Sequence, residues 1–138
     1  MLRVSLLFFI YSGMIFSQEL VVIADKNFPE ENLTVDEIRA IFLDKQHFID
    51  KQKILVMNHV AQTPLRLCFE EKVLEKGANA LERYWRKAYY QGKRPPKVVT
   101  SMEMLFLYLD GVTPSIGYSD KNATIGRDVK TIYSVECP

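Results

Sequence analysis

The chain has 138 residues, 18 of them basic and 17 acidic, for a formal net charge of +1 at neutral pH. So even a balance excludes the basic excess with which nucleic-acid binders meet phosphates, and no nucleic-acid partner is expected. The length allows one hydrophobic core and not two, and abundant aromatics without low-complexity segments exclude a disordered chain.

Arg3 opens the chain and the apolar run Leu6–Ile10 follows, extended by Tyr11, Met14, Ile15 and Phe16 as far as Ser17. Polar Gln18 and Glu19 come next. This charged, apolar, small-residue order predicts a secretory signal over residues 1–17 and a single domain over 18–138, periplasmic or secreted. The run is shorter than the roughly 20 residues of a comfortable membrane span, so no stable membrane insertion is expected once the signal is cleaved. An uncleaved anchor or a buried first strand are the alternatives. No cysteine follows the run, which argues against a lipoprotein anchor. Removing Arg3 with the signal leaves 17 charges of each sign.

Leu20–Ala24 is apolar throughout and predicts a strand buried on both faces. Thr34-Val35-Asp36-Glu37 has the pattern of a capping box, opening a helix to about Leu43 with Val35, Ile38, Ile41 and Phe42 inward. Ile54–Met57 predicts a second buried strand, ended by Asn58-His59. Thr63-Pro64 predicts a helix start, with Thr63 as cap and Pro64 where its missing N–H costs nothing. Leu65, Phe69, Val73 and Leu74 give its apolar face, and Gly77 its stop. A helix from Asn79 carries Leu81, Trp85, Ala88 and Tyr89 inward as far as Gly92, with Tyr84 and Tyr90 towards the surface. Arg94-Pro95-Pro96 is a stiff connection to a short strand, Val98-Val99. Thr100 and Glu103 cap a last helix with Met102, Leu105, Phe106 and Leu109 inward, closed by Gly111. Ser115–Tyr118 and Thr131–Val135 are the final strands, with a polar turn region between them. Strands alternating with helices argue an α/β domain, its sheet mostly parallel or mixed and covered on both faces.

Cys68 and Cys137 permit a disulfide in an oxidising compartment; two separate thiols are the alternative. His47 and His59 lie twelve residues apart with no Cys or carboxylate spacing to make a ligand set, so no metal site and no cofactor is expected. No nucleophile elbow or Gly-rich phosphate loop appears, so no catalytic residue is assigned. The Asn-x-Thr patterns at Asn32 and Asn122 read as unused, since Thr34 already has a capping role. Lys87, Lys93, Arg94 and Lys97 cluster around the Pro-Pro turn, as a solvated face or as a source of positive field. The segment with chemistry to offer is Gln62-Thr63-Pro64-Leu65-Arg66. A helix N-terminus offers free N–H groups and partial positive charge to an anion, Thr63 adds a hydroxyl, and Arg66 adds a cationic fork. The plainer reading is a capped helix whose Arg66 pairs with Glu70 one turn on.

Three segments carry a resemblance. Leu33–Leu43 resembles the "L-(S/T)-x-x-(Q/E)-(L/I)-R-x-I-F" segment of phosphate-binding proteins of ABC importers. Thr63–Phe69 is similar to their "S-G-T-R-x-x-F" loop and helix, and Thr113–Tyr118 to their "T-P-G-A-I-G-Y" strand. The three occur in family order over nearly the whole chain after residue 17. Tyr84-Trp85 and Gly92-x-x-Pro95-Pro96 look like features of the short, single-lobe members. The resemblance implies one lobe of a type 2 periplasmic-binding-protein-like fold, a mixed sheet with helices on both faces. It also implies a non-enzymatic, phosphate-type solute-binding function with Gln62, Thr63, Leu65 and Arg66 at the ligand. Thr63 and Arg66 match the family's Ser and Arg, whereas Leu65 stands for its Thr and Pro64 for its Gly, removing a hydroxyl and an N–H. Expected partners are a small oxyanion such as phosphate, and an envelope protein or a second copy completing a one-sided site. The alternative is an interaction module that keeps only the fold. Arg66→Ala is expected to abolish oxyanion binding and leave the fold intact.

Overall fold

The computed structural model describes residues 18–138; the expected signal segment, residues 1–17, lies outside them. The first apolar run forms β1, Gln18–Asp25, buried from Leu20 onward. Alternation along the strand sends Leu20, Val22 and Ala24 into one hydrophobic cluster, and Val21 and Ile23 into another on the opposite face.

The capping box is made in full. Thr34 Oγ1 accepts from the Glu37 N–H at 3.2 Å, and Glu37 Oε1 accepts from the Thr34 N–H at 3.4 Å. It opens α1, Val35–Phe42, which buries Ile38, Ile41 and Phe42. A small hairpin that the sequence pattern did not announce comes next, β2 (Phe48–Ile49) with β3 (Gln52–Lys53). Its turn residues Asp50 and Lys51 both take positive φ, 47° and 64°. That geometry suits a tight hairpin, and Asn-Gly is its usual signal; here an Asp-Lys pair adopts it. β4, Leu55–His59, then runs through the core and takes in Asn58 and His59, which the sequence pattern placed at its end.

The next helix ends differently from the expectation. It comprises α2, Pro64–Phe69, continued by a π-helical turn, Glu70–Leu74. Glu75 stops it in the left-handed region with φ 53°, and Gly77 instead caps the start of α3, Ala78–Tyr89. Arg39 makes the earlier stop workable: its Nε donates to the Val73 carbonyl at 2.6 Å, and its Nη2 meets Glu75 Oε1 at 2.9 Å. Basic groups on terminal carbonyls satisfy acceptors that the last turn leaves open. Along α3, Leu81 and Ala88 are buried and Tyr84 and Trp85 half-buried, while Tyr89, expected inward, is 58% exposed. The Arg94 guanidinium covers the Tyr89 ring from outside at 4.1 Å. Tyr84 turns inward instead and donates its hydroxyl to the Leu43 carbonyl at 2.5 Å.

β5 is Lys97–Val99. The last helix, α4, spans Met102–Gly111, and its cap is Ser101 in place of the expected Thr100. Ser101 has the extended backbone of a cap, and its Oγ accepts from the Met104 N–H at 3.1 Å. β6 (Ser115–Asp120), a 3₁₀ turn (Asn122–Thr124) and β7 (Val129–Cys137) complete the chain.

The five long strands form one mixed sheet in the order β5-β4-β6-β1-β7. β4 is parallel to β5 and β6, and β1 is antiparallel to β6 and β7. Opposite Val22/Ile23 the register of β7 slips, so that Ile132 bulges out of the pairing. One face carries α1, α2 and α3 over Leu20, Val22, Ile116 and Tyr118; the other carries α4, whose Leu105, Phe106 and Leu109 cover Val21, Ile23 and Met57. Cys68 on α2 is disulfide-bonded to Cys137 at the end of β7, with Cα atoms 5.8 Å apart. No helix among the described residues is long and apolar enough to cross a membrane.

Candidate functional site

The parallel strands β4 and β5 both end on the same edge of the sheet, where α2 and α4 begin. In open α/β sheets that edge is where ligands bind. A cavity of about 170 Å³ lies there, lined by His59 and Val60 after β4, Thr63 and Leu65 at the start of α2, and Val99 to Met102 leading into α4. A larger groove of about 380 Å³ runs elsewhere, between the end of α1, the hairpin and Pro95-Pro96, and none of the residues expected at a ligand lines it.

Of those four residues the structure brings Thr63 and Leu65 to the cavity. Gln62 is exposed beside it, in the left-handed region at φ 73°. Thr63 has the extended backbone of a cap, but its hydroxyl donates to the Val60 carbonyl at 2.9 Å and accepts nothing from the helix. No side chain caps this end of α2, so the first-turn N–H groups of Leu65 and Arg66 are open to another acceptor.

Arg66 turns away from the first turn. Its Nε donates to Glu70 Oε1 at 2.9 Å and its Nη1 to the His59 carbonyl at 2.7 Å. The plainer reading of Arg66 is therefore realised, with the addition of a bond to the end of β4. Glu70 is buried, and its charge offsets that of Arg66. Two of five guanidinium donors are spent, and the fork no longer stands free.

Behind the cavity lies a buried polar cluster that sequence reading missed. The Tyr118 hydroxyl donates to Asn58 Oδ1, and the same oxygen accepts from the His59 N–H at 2.9 Å. His59 Nε2 lies 2.7 Å from the Tyr118 carbonyl oxygen, and the Tyr118 ring stacks on Phe69 at 3.9 Å. β4 and β6 pair as far as Val56 with Ile116, and these side-chain bonds tie the two strands together beyond that point. Burial pushes the Tyr118 hydroxyl well above its usual pKa, so it stays protonated as a donor. Burial also pushes the His59 pKa down, and nearby Arg66 adds to this against the Tyr118 carbonyl, so the ring is held neutral. The sequence signal for this cluster is limited to two polar residues, Asn58-His59, at the end of an apolar run. Among the described residues no hydroxyl of the cavity hydrogen-bonds to His59, and no group of three or more His, Cys, Asp or Glu residues could hold a metal ion.

No family model matches the chain, and no curated protein matches it in sequence. Solved structures do. One, from Clostridium perfringens, is assigned as a phosphate ABC transporter substrate-binding protein and holds bound phosphate. It superposes with a TM-score of 0.67 at 17% identity, over 84% of this chain and 44% of its own. An ABC-type phosphate transport receptor from Vibrio cholerae gives 0.61 at 20% identity, over 84% of this chain and 46% of its own. PstS from Borrelia burgdorferi gives 0.62 at 16% identity, over 84% and 47%. The chain has the fold of one lobe of a periplasmic binding protein. It spans under half the length of these proteins, and at such identities the likeness is one of fold. The mixed sheet with helices on both faces, expected from the resemblance, is the architecture of that lobe.

Proposed function

We propose that this lobe is a non-enzymatic solute-binding domain of the phosphate-binding type, exported to the periplasm or secreted, that receives a small oxyanion at the cavity between the starts of α2 and α4. The observation that carries the reading is the uncapped first turn of α2, whose open N–H groups stand beside the hydroxyls of Thr63, Thr100 and Ser101 at the strand-end edge. The open N–H groups and the Ser101 hydroxyl, whose proton has no partner among the described residues, are donors, which is what an oxyanion needs. In this reading the Leu65 N–H binds the anion, the Thr63 hydroxyl joins it by giving up its bond to the Val60 carbonyl, Gln62 borders it, and Arg66 contributes positive field. The described residues form one wall. A second wall, from an envelope protein or another copy of the chain, would bury the ligand further and tighten binding.

A second reading is favoured by a specific observation: Arg66 is already occupied by Glu70 and the His59 carbonyl. Pro64 and Leu65 also lack the N–H and hydroxyl expected there from the resemblance. On this reading the lobe is an accessory interaction module that keeps the fold alone.

Thermal unfolding of the purified, phosphate-free chain against phosphate, with chloride at matched ionic strength, separates the two. A saturable rise in Tm with phosphate is expected, because a ligand that binds only the folded state must stabilise it. A melting temperature that does not move up to millimolar phosphate overturns the binding reading in favour of the interaction module.

A further inference from the structure

The larger groove lies at the opposite end of the parallel strands from the strand-end cavity. β4 runs from Leu55 to His59 and β5 from Lys97 to Val99; the cavity takes their ends, His59 and Val99, and the groove takes their starts. On one side stands the β2–β3 hairpin. There Phe48 pairs directly with Lys53, which sets an aromatic ring and a cation side by side, and both line the groove. On the other side runs the stiff connection Arg94-Pro95-Pro96-Lys97. Phe48 is 56% exposed. The same kind of surface continues past the groove: the Arg94 guanidinium covers the Tyr89 ring, and Tyr90, 86% exposed, has its ring 6.0 Å from that of Tyr89.

The charges around the groove are one-sided. Asp44 is the one carboxylate among the lining residues, and it is already engaged: Oδ2 accepts from the Arg94 N–H at 2.8 Å, and Oδ1 lies 2.5 Å from His47 Nδ1. Lys53, Arg94 and Lys97 have no carboxylate within salt-bridge distance among the described residues. In a chain with nearly equal numbers of acids and bases, three unneutralised cations around one groove concentrate positive field there.

We infer that this groove docks an acidic segment of a partner protein, with an apolar side chain set between Phe48 and Pro95-Pro96 and carboxylates against Lys53, Arg94 and Lys97. The segment is acidic because the cations lack partners. It carries an apolar side chain because Phe48 and the prolines otherwise face water. It belongs to a protein because the aromatic and basic surface runs over Arg94 to Tyr89 and Tyr90, further than a small anion reaches. Tyrosine and arginine are also the residues that carry most of the binding energy at protein interfaces. The groove and the strand-end cavity share no lining residue, so this docking stands apart from the oxyanion reading.

The test follows the amide resonances of the ¹⁵N-labelled chain during titration with three short peptides. The first has a leucine between two pairs of glutamates, the second replaces the glutamates by glutamines, and the third replaces the leucine by serine. Saturable shifts at Phe48, Lys53, Arg94 and Lys97 are expected with the first, weakening as salt rises, and about tenfold weaker binding with either of the others. Equal binding of all three, shifts confined to other parts of the chain, or no saturable shift at millimolar peptide overturns the inference. Phosphatidylglycerol vesicles that move the same resonances more strongly than the glutamate peptide overturn it in favour of a membrane surface. Phe48→Ser and Lys53→Gln alter exposed side chains and should each keep the native Tm while weakening the glutamate peptide several-fold. A variant that melts like the native chain and binds the peptide equally well overturns the inference; if a variant loses its fold, the three peptides on the native chain decide.

Discussion

Arg66 shows how a residue placed for one role serves another. Arg66→Ala bears on stability as well as on binding, because the change strands the buried carboxylate of Glu70. Breaking one side of a buried pair is costlier than losing both. Arg66→Ala should lower unfolding stability by about 3 kcal/mol. Arg66→Ala combined with Glu70→Gln should recover much of that, and urea denaturation of the four species of the cycle measures the coupling. His59 gives a pH dependence. Its pKa is held below the ordinary 6.5 in the fold, whereas the unfolded chain takes up a proton near that value. The unfolded state therefore binds more protons as pH falls below about 6.5, and stability drops until the pH passes the depressed folded value. Denaturation midpoints at pH 8, 6 and 5 should fall on acidification, and less steeply in His59→Gln. At this scale the sequence showed the start of α2 and offered the pairing of Arg66 with Glu70, because i and i+4 lie on one helix face. It could not show how His59 is held, because its partner, the Tyr118 carbonyl, is 59 residues away.

The elements were legible where local chemistry decides them. Apolar runs gave β1 and β4, and the Thr34-x-x-Glu37 pattern gave α1 with both bonds of its box. Two threonines that look alike as caps differ in what they hold. Thr34→Ala should cost about 1 kcal/mol, whereas Thr63→Ala should cost clearly less, since the Thr63 hydroxyl caps no helix N–H. Thermal melts of the two variants side by side give the comparison, and equal losses would contradict it. The misplaced boundaries share a cause. Glu75 and Asp50-Lys51 adopt positive φ without being glycine, so the residue that advertises a stop or a turn is missing. Glu75 is held there by Arg39, a partner from another helix. Ser101 and Thr100 are equally suited to cap α4, and only the path of the chain out of β5 chooses between them.

For the whole molecule, strand and helix alternation was enough to argue a sheet covered on both faces. The order β5-β4-β6-β1-β7 was not, because it depends on which distant segments pair. The disulfide is of the same kind: two cysteines permitted it, and the packing of α2 against the end of β7 brings their Cα atoms to 5.8 Å. The bridge spans 69 residues and so removes a large share of the unfolded chain's freedom. Cys137→Ser should cost about 2–4 kcal/mol, read as a lower denaturation midpoint, and dithiothreitol should produce the same shift in the native chain.

The position of β1 has a consequence for the chain's history. Both neighbours of β1 come from the far end of the sequence: β6 begins at Ser115 and β7 closes at Cys137. During synthesis, Leu20–Ala24 is among the first apolar segments to emerge and the last to find strands to pair with. Until β6 has been made, it stays an unpaired, greasy ribbon. The sheet therefore closes only after β6 and β7 have been made, and until then β1 is open to any other unpaired strand it meets.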